Sequence, residues 1–297
     1  MTARALAVSL ALVAGLGLPE LRAQPRLTLH PNEEVPRELT LETERLLVRV
    51  QLGRYVYVTS FLDKVSGVQF VDPEKPAPLV KVSNQWHLLQ VGFNIWQVTP
   101  LAEGADRGAE IRLFSNSLEN PYHLVVRLSM SEAPELRLHL SLEHRAEDGR
   151  HDMPYVSRRT ATVGLSLLRY LRPRGASEPS VIFKRDRTHF HNGTADVGMY
   201  FLRQAEDPDF PLVVSYPELG AGVLLHKEAS DLDWSFESAE DALSFMRPAP
   251  IDPGDAFLIF EGVLRPFRGD WHAAFAWWKG RIRCALDLGL YERPGHA

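Results

Sequence analysis

The chain has 297 residues, 45% of them hydrophobic and 24% charged, with a formal net charge of -5 and an isoelectric point near 6.1. These values exclude a chain that is mainly disordered, collagenous or coiled coil, and the lack of a broad basic field disfavours a nucleic-acid partner. A (β/α)8 barrel uses about 250 residues by itself, so a barrel together with a second sizeable domain does not fit.

Met1 to Ala23 reads as a secretory signal. Arg4 supplies the positive start, Ala5 to Leu18 is apolar apart from Ser9, and Ala23 offers a small residue for cleavage before Gln24. The apolar run is short for a bilayer span, which needs about 20 residues. The expected location is therefore secreted or periplasmic, with no membrane association once the signal is removed. A retained anchor is the alternative. Cys284 is the single cysteine, so no internal disulfide is expected. Its place in a helical pattern predicts a small buried or half-buried hydrophobe.

From Leu39 to Gly262 the hydrophobic period is two. Leu46 to Leu52, Val56 to Val58, His123 to Met130 and Leu136 to Glu143 all alternate apolar and polar residues. Such runs are strands with one face on a core and one in water. Ser66-Gly67, Asp72-Pro73, Glu103 to Gly108, Asn120-Pro121 and Asn192-Gly193 punctuate them as turns. Glu74 to Pro78 and Arg172 to Pro179 are Pro-rich loops. Many strands with no helices between them predict an antiparallel sandwich and argue against a nucleotide-binding parallel sheet. No dinucleotide or P-loop glycine motif occurs, and no cofactor is expected.

The last segment changes period. Trp271, Phe275, Trp278 and Ile282 recur at helical spacing, with Asp270 placed to cap the start and Gly289 to end it. This aromatic stripe must pack, either on the outer face of the sandwich or on a following domain outside the chain.

Three segments carry a resemblance. Leu62-Asp63-Lys64-Val65-Ser66-Gly67 resembles a hairpin near the start of galactose-mutarotase-like β-supersandwich domains. Leu136 to Arg145, followed by Met153 to Val156, is similar to the long strand of that fold, with Glu143-His144 where the family often has Asn. Pro266-Phe267-Arg268-Gly269-Asp270-Trp271-His272, leading into Trp277-Trp278-Lys279, resembles the junction joining such domains to the catalytic barrel of large secreted glycoside hydrolases. The resemblance covers roughly residues 40 to 290. It implies an all-β antiparallel supersandwich with one C-terminal α-helix: signal 1–23, sandwich 24–268, and helix or linker 269–297 toward an absent catalytic domain. It also implies a non-catalytic, carbohydrate-related N-terminal module, with Trp271, Phe275 and Trp278 as the contact to that barrel.

An alternative is a free-standing sugar mutarotase or epimerase, which needs a general acid and base beside the ring oxygen. The family uses His and Glu. His189 or His191 with Glu261 are the candidates here; otherwise they are two histidines before a turn and a glutamate reaching solvent. His189-x-His191 is too short a ligand set for a metal, and no metal site is expected. For carbohydrate binding, aromatic faces beside amides point to Trp86, His87, Asn94, Trp96 and Trp234. Packing within a hairpin is the other explanation for the tryptophans. A third possibility is an exported structural or partner-binding protein.

Overall fold

The structure, a computed structural model, describes residues 24–30, 36–53, 56–84, 93–115, 122–144, 161–165, 171–176, 179–184, 190–193, 199–202, 211–229, 233–237, 242–246, 254 and 256–287. These form three antiparallel sheets and one α-helix. The first sheet contains β1 (Arg26–His30), β2 (Glu38–Glu42), β3 (Leu46–Leu52), β4 (Val56–Asp63) and β5 (Val68–Gln69) in that order, with β6 (Ala77–Pro78) also paired to β4.

The second sheet has nine strands. Its order runs β14 (Phe190–Gly193), β13 (Ser180–Lys184), β16 (Leu212–Tyr216), β17 (Ala221–Ala229), β20 (Ala256–Arg268), β11 (Leu136–His144), β10 (Tyr122–Met130), β9 (Asp106–Ser115) and β8 (Phe93–Glu103). A third sheet joins β15 (Met199–Leu202), β18 (Asp233–Glu237), β19 (Ala242–Met246), β12 (Ala161–Leu165) and β7 (Val80–Asn84).

Alternation explains the layering. In β3 the buried positions are Leu46, Val48, Val50 and Leu52; in β11 they are Leu136, Leu138, Leu140 and Leu142. Both sets fall in one apolar cluster, which also takes in Phe61, Ile111, Leu128, Leu225 and Phe260. The first sheet and the nine-stranded sheet therefore pack face to face, each contributing every second residue. This is the antiparallel β-sandwich expected from the sequence.

The resembled hairpin has a local cause. Asp63 ends β4 almost fully buried and is the hub of the turn. Its Oδ1 accepts the Val65 N–H at 3.1 Å, its Oδ2 accepts the Ser66 hydroxyl at 2.5 Å, and its carbonyl accepts the Gly67 N–H at 2.8 Å. Gly67 sits at φ +74°, a left-handed angle that favours glycine. Lys64 reaches across to Glu42 and to the Thr43 carbonyl. Arg268, from the resembled junction, places Nε 3.5 Å from Asp63 Oδ2, so two segments 205 residues apart in sequence meet at one carboxylate.

At that junction β20 stops at Arg268, Gly269 turns at φ +88°, and α1 (Trp271–Asp287) begins. Asp270 caps it: Oδ1 accepts the His272 N–H at 3.0 Å. The aromatic stripe packs on the protein's own nine-stranded sheet. Phe275 and Ala274 are buried against Val213, Leu224 and Phe267, with Trp271, Trp277 and Trp278 partly buried beside them. Of the two expected docking places, the outer face of the sandwich is the one occupied. Cys284 is exposed, which corrects the expectation of a buried thiol. It lies nine residues, or two and a half turns, beyond Phe275, and so on the opposite side of the helix.

Candidate functional site

The nine-stranded sheet has one face in the core. Helix α1 covers part of the other, over β16, β17 and β20. Beyond the helix that outer face carries polar side chains, because the strands' alternation assigns them there. Register then lines them up. One row across β8, β9, β10, β11 and β20 reads Thr99, Glu110, Arg127, His139 and Glu261, each the direct cross-strand partner of the next. Direct partners hold their Cβ atoms about 4.5–5.5 Å apart, within mutual reach of long side chains.

Two β-bulges frame the Glu261 end. Ile259 is the extra residue of β20 against β11, between the pairs Leu140–Phe260 and Ser141–Leu258. Glu228 is the extra residue of β17 against β20, between Lys227–Gly262 and Ala229–Glu261. Bulges re-aim side chains and concentrate beside binding sites. The backbones are close here: a Cβ added at Gly262 would run into the His226 carbonyl oxygen.

A cavity of about 160 Å³ opens at this point, lined by Arg127, Ser129, Arg137, His139, Glu228 and Glu261 among others. Its electrostatics are set by neighbours. Glu110 is held between Arg112 at 2.7 Å and Arg127 at 2.6 Å. Burial alone would raise its carboxyl; hydrogen bonds and charge from Arg127 and Arg112 outweigh that and hold it below the usual carboxylate value. Arg112 also reaches Glu143 at 3.1 Å. Burial, and then the charge of Arg127, push His139 below its ordinary value, against the opposing pull of Glu261 and Glu110. His139 is thus a neutral imidazole at neutral pH, set beside the exposed Glu261 carboxylate.

Helix α1 borders the cavity through Glu228, which is ion-paired with Arg281. Arg281 also lies 3.4 Å from Glu135, and Arg265 lies 3.6 Å from the same carboxylate. Both guanidiniums lie over the Trp277 ring, 4.8 Å from its centre for Arg265 and 5.3 Å for Arg281.

Of the residues singled out from sequence, Glu261 is in this site. His191 lies on β14, four strand spacings away through β13, β16 and β17, or roughly 19 Å in the sheet plane. The sheet does not bring His191 and Glu261 together. His189, Trp86 and His87 lie outside the described residues, as does the signal segment 1–23. Asn94 and Trp96 are on β8, at the edge of the same sheet, and Trp234 is on β18 in the third sheet. His139 was not singled out, although its place on the polar side of an alternating strand was the available signal. Among the described residues no cluster of His, Cys, Asp and Glu has the arrangement of a metal site. No described helix is long and apolar enough to cross a membrane.

No family model matches the chain, and comparison with curated proteins finds no match. Solved structures do match. A TPR-domain containing protein from Parabacteroides distasonis shares 13% identity at a TM-score of 0.47, over 82% of this chain and 53% of the other. The chain thus spans about half the length of that protein. A galactose mutarotase-like protein from Clostridium acetobutylicum shares 8% identity at a TM-score of 0.48, over 82% of this chain and 98% of the other. Galactose 1-epimerase from Lactobacillus acidophilus shares 10% identity at a TM-score of 0.46, over 84% of this chain and all of the other. Galactose-mutarotase-like proteins, which the sequence resembles, are among these structures.

Proposed function

We propose that the protein is a carbohydrate-binding β-sandwich whose ligand lies on the outer face of the nine-stranded sheet, over β10, β11 and β20. The observation that carries this reading is the row Glu110, Arg127, His139 and Glu261 beside a cavity of about 160 Å³. Carboxylates, guanidiniums and a neutral imidazole together donate to and accept from hydroxyl groups, and the two bulges re-aim Glu228 and Glu261 at the edge of the cavity. The finer reading is an exported, non-catalytic N-terminal module of a glycoside hydrolase. It rests on the signal-like start and on the Pro266 to His272 junction, and would leave the partly exposed Trp271 and Trp278 as the margin against a catalytic domain. A glycan array tests the binding. Signal on one or more neutral sugars, lost in Glu261→Gln, supports the reading; an array without signal sinks it.

One observation favours a second reading, a sugar epimerase: His139 and Glu261 are direct cross-strand partners. In ring opening, a base takes the proton of the anomeric hydroxyl while an acid protonates the ring oxygen, and the C1–O5 bond breaks to an aldehyde. Glu261 has the chemistry of the base. His139 is the acid only when protonated, and its site holds it neutral. Epimerisation would therefore be slow at neutral pH and rise as pH falls through the lowered His139 value. Polarimetry on fresh α-hexoses across pH checks this: a rate equal to buffer at every pH rules the reading out.

A further inference from the structure

The outer face of the first sheet carries a groove of about 710 Å³, on the other side of the sandwich from the site above. Two sets of cross-strand partners line it: His30, Glu38 and Gln51 form one, and Arg49 with Ser60 the other. Arg37, just before β2, joins them at the groove wall.

The floor is built around a bulge. Arg49 faces Ser60 and Val50 faces Val58, which leaves Thr59 as the extra residue of β4. The Gln69 amide pins it: its Oε1 accepts the Phe61 N–H at 2.8 Å, and its Nε2 donates to the Ser60 hydroxyl at 2.7 Å. The Thr59 hydroxyl donates to the Arg49 carbonyl at 3.3 Å. The floor is therefore fixed by its own hydrogen bonds, as a preorganised site requires.

The rim is different. Arg37 and Arg49 are exposed, and among the described residues neither lies within ion-pair distance of a carboxylate. Arg112, Arg127 and Arg268 elsewhere each have one. Among the described residues that line the groove, two guanidiniums, the Gln51 amide and the His30 ring present an excess of donors, with Glu38 as the one charged acceptor. Guanidinium planes match carboxylates in two-point contact, and the amide suits hydroxyls.

The geometry points to a second ligand site here, for an oligosaccharide that carries carboxylates, with Arg37 and Arg49 on the uronate groups and Gln51 on the hydroxyls. The volume lies within the range of ligand sites, about 300–1,000 Å³, and its open trough suits a chain rather than one ring. This site shares no residue with the Glu261 face, so it stands or falls separately.

The test is isothermal titration of the full chain with short oligogalacturonides and with the same oligomers methyl-esterified, which removes the charge and keeps the hydroxyls. Wild-type protein is expected to bind the acid form at least tenfold more tightly than the ester. Arg37→Gln/Arg49→Gln should lose at least tenfold in affinity for the acid form with an unchanged melting temperature, while its binding of the ester stays as in wild type. No binding of the acid form, equal binding of acid and ester, or an unaffected double variant would each overturn the proposal. So would inorganic phosphate competing as well as the oligomer, which would mark a simple anion site.

Discussion

Asp63 shows how one side chain decides a turn. It is 7% exposed, and it accepts hydrogen bonds from Val65 and Ser66 and faces Arg268. Hydrogen bonds to charged groups contribute about 1.5–3 kcal/mol each, and solvent weakens those near the surface. Asp63→Ala is expected to destabilise the protein by about 2 kcal/mol in urea unfolding, with Asp63→Asn intermediate because the amide keeps one acceptor. His139 makes a separate prediction about pH. Its folded value lies below the unfolded value near 6.5, so the fold disfavours the proton. The associated stability is complete above that unfolded value and is lost as pH falls through the folded one. His139→Gln should therefore gain on wild type as pH drops below about 6.5, and parallel melting curves of the two proteins across that window would contradict the assignment.

At the scale of elements, α1 is held by one apolar stripe and one charged cluster. Phe275 meets Trp271 edge-on at 5.3 Å and Trp278 at 6.2 Å, over Leu224 and Phe267. Removing a buried aromatic ring costs about 3 kcal/mol or more. The stripe forms its own cluster, separate from the core between the sheets. Phe275→Ala should therefore speed amide exchange in residues 271–287 while β10 and β11 stay protected; equal loss of protection everywhere would mean that helix and sandwich unfold as one unit. Glu135 adds the charged tie. It is 3% exposed and faces Arg137, Arg265 and Arg281, of which Arg281 has a second carboxylate in Glu228 and Arg137 one in Asp106; Glu135→Ala would therefore strip partly exposed guanidiniums of their shared partner, at a cost of about 1–2 kcal/mol in urea unfolding.

At the scale of the molecule, the sequence reveals faces better than neighbours. Alternation from Leu46 to Leu52 and from Leu136 to Glu143 marks strands that appear as β3 and β11, and helical spacing from Trp271 marks α1. In each case a local period carries the signal. Strand order has no local signature. Glu261 is visible as a charge interrupting an apolar strand, but its partner His139 is set by the pairing of β20 with β11, and His191 is kept away by three intervening strands. Cys284 is a smaller case of the same kind: the helical pattern is legible, while the side of the helix that meets the sheet depends on where Phe275 docks. The grooves on both sheets follow from bulges, which depend on register between strands and so escape a single-strand pattern.

The claim at the centre is that sugar binds over β10, β11 and β20. Titration of isotope-labelled protein with the neutral sugar selected on the array, followed by amide chemical shifts, tests it most directly. Shifts are expected to cluster around Arg127, His139 and Glu261 and to be lost in Glu261→Gln. Shifts confined to another sheet, or shifts that persist unchanged in Glu261→Gln, would contradict it.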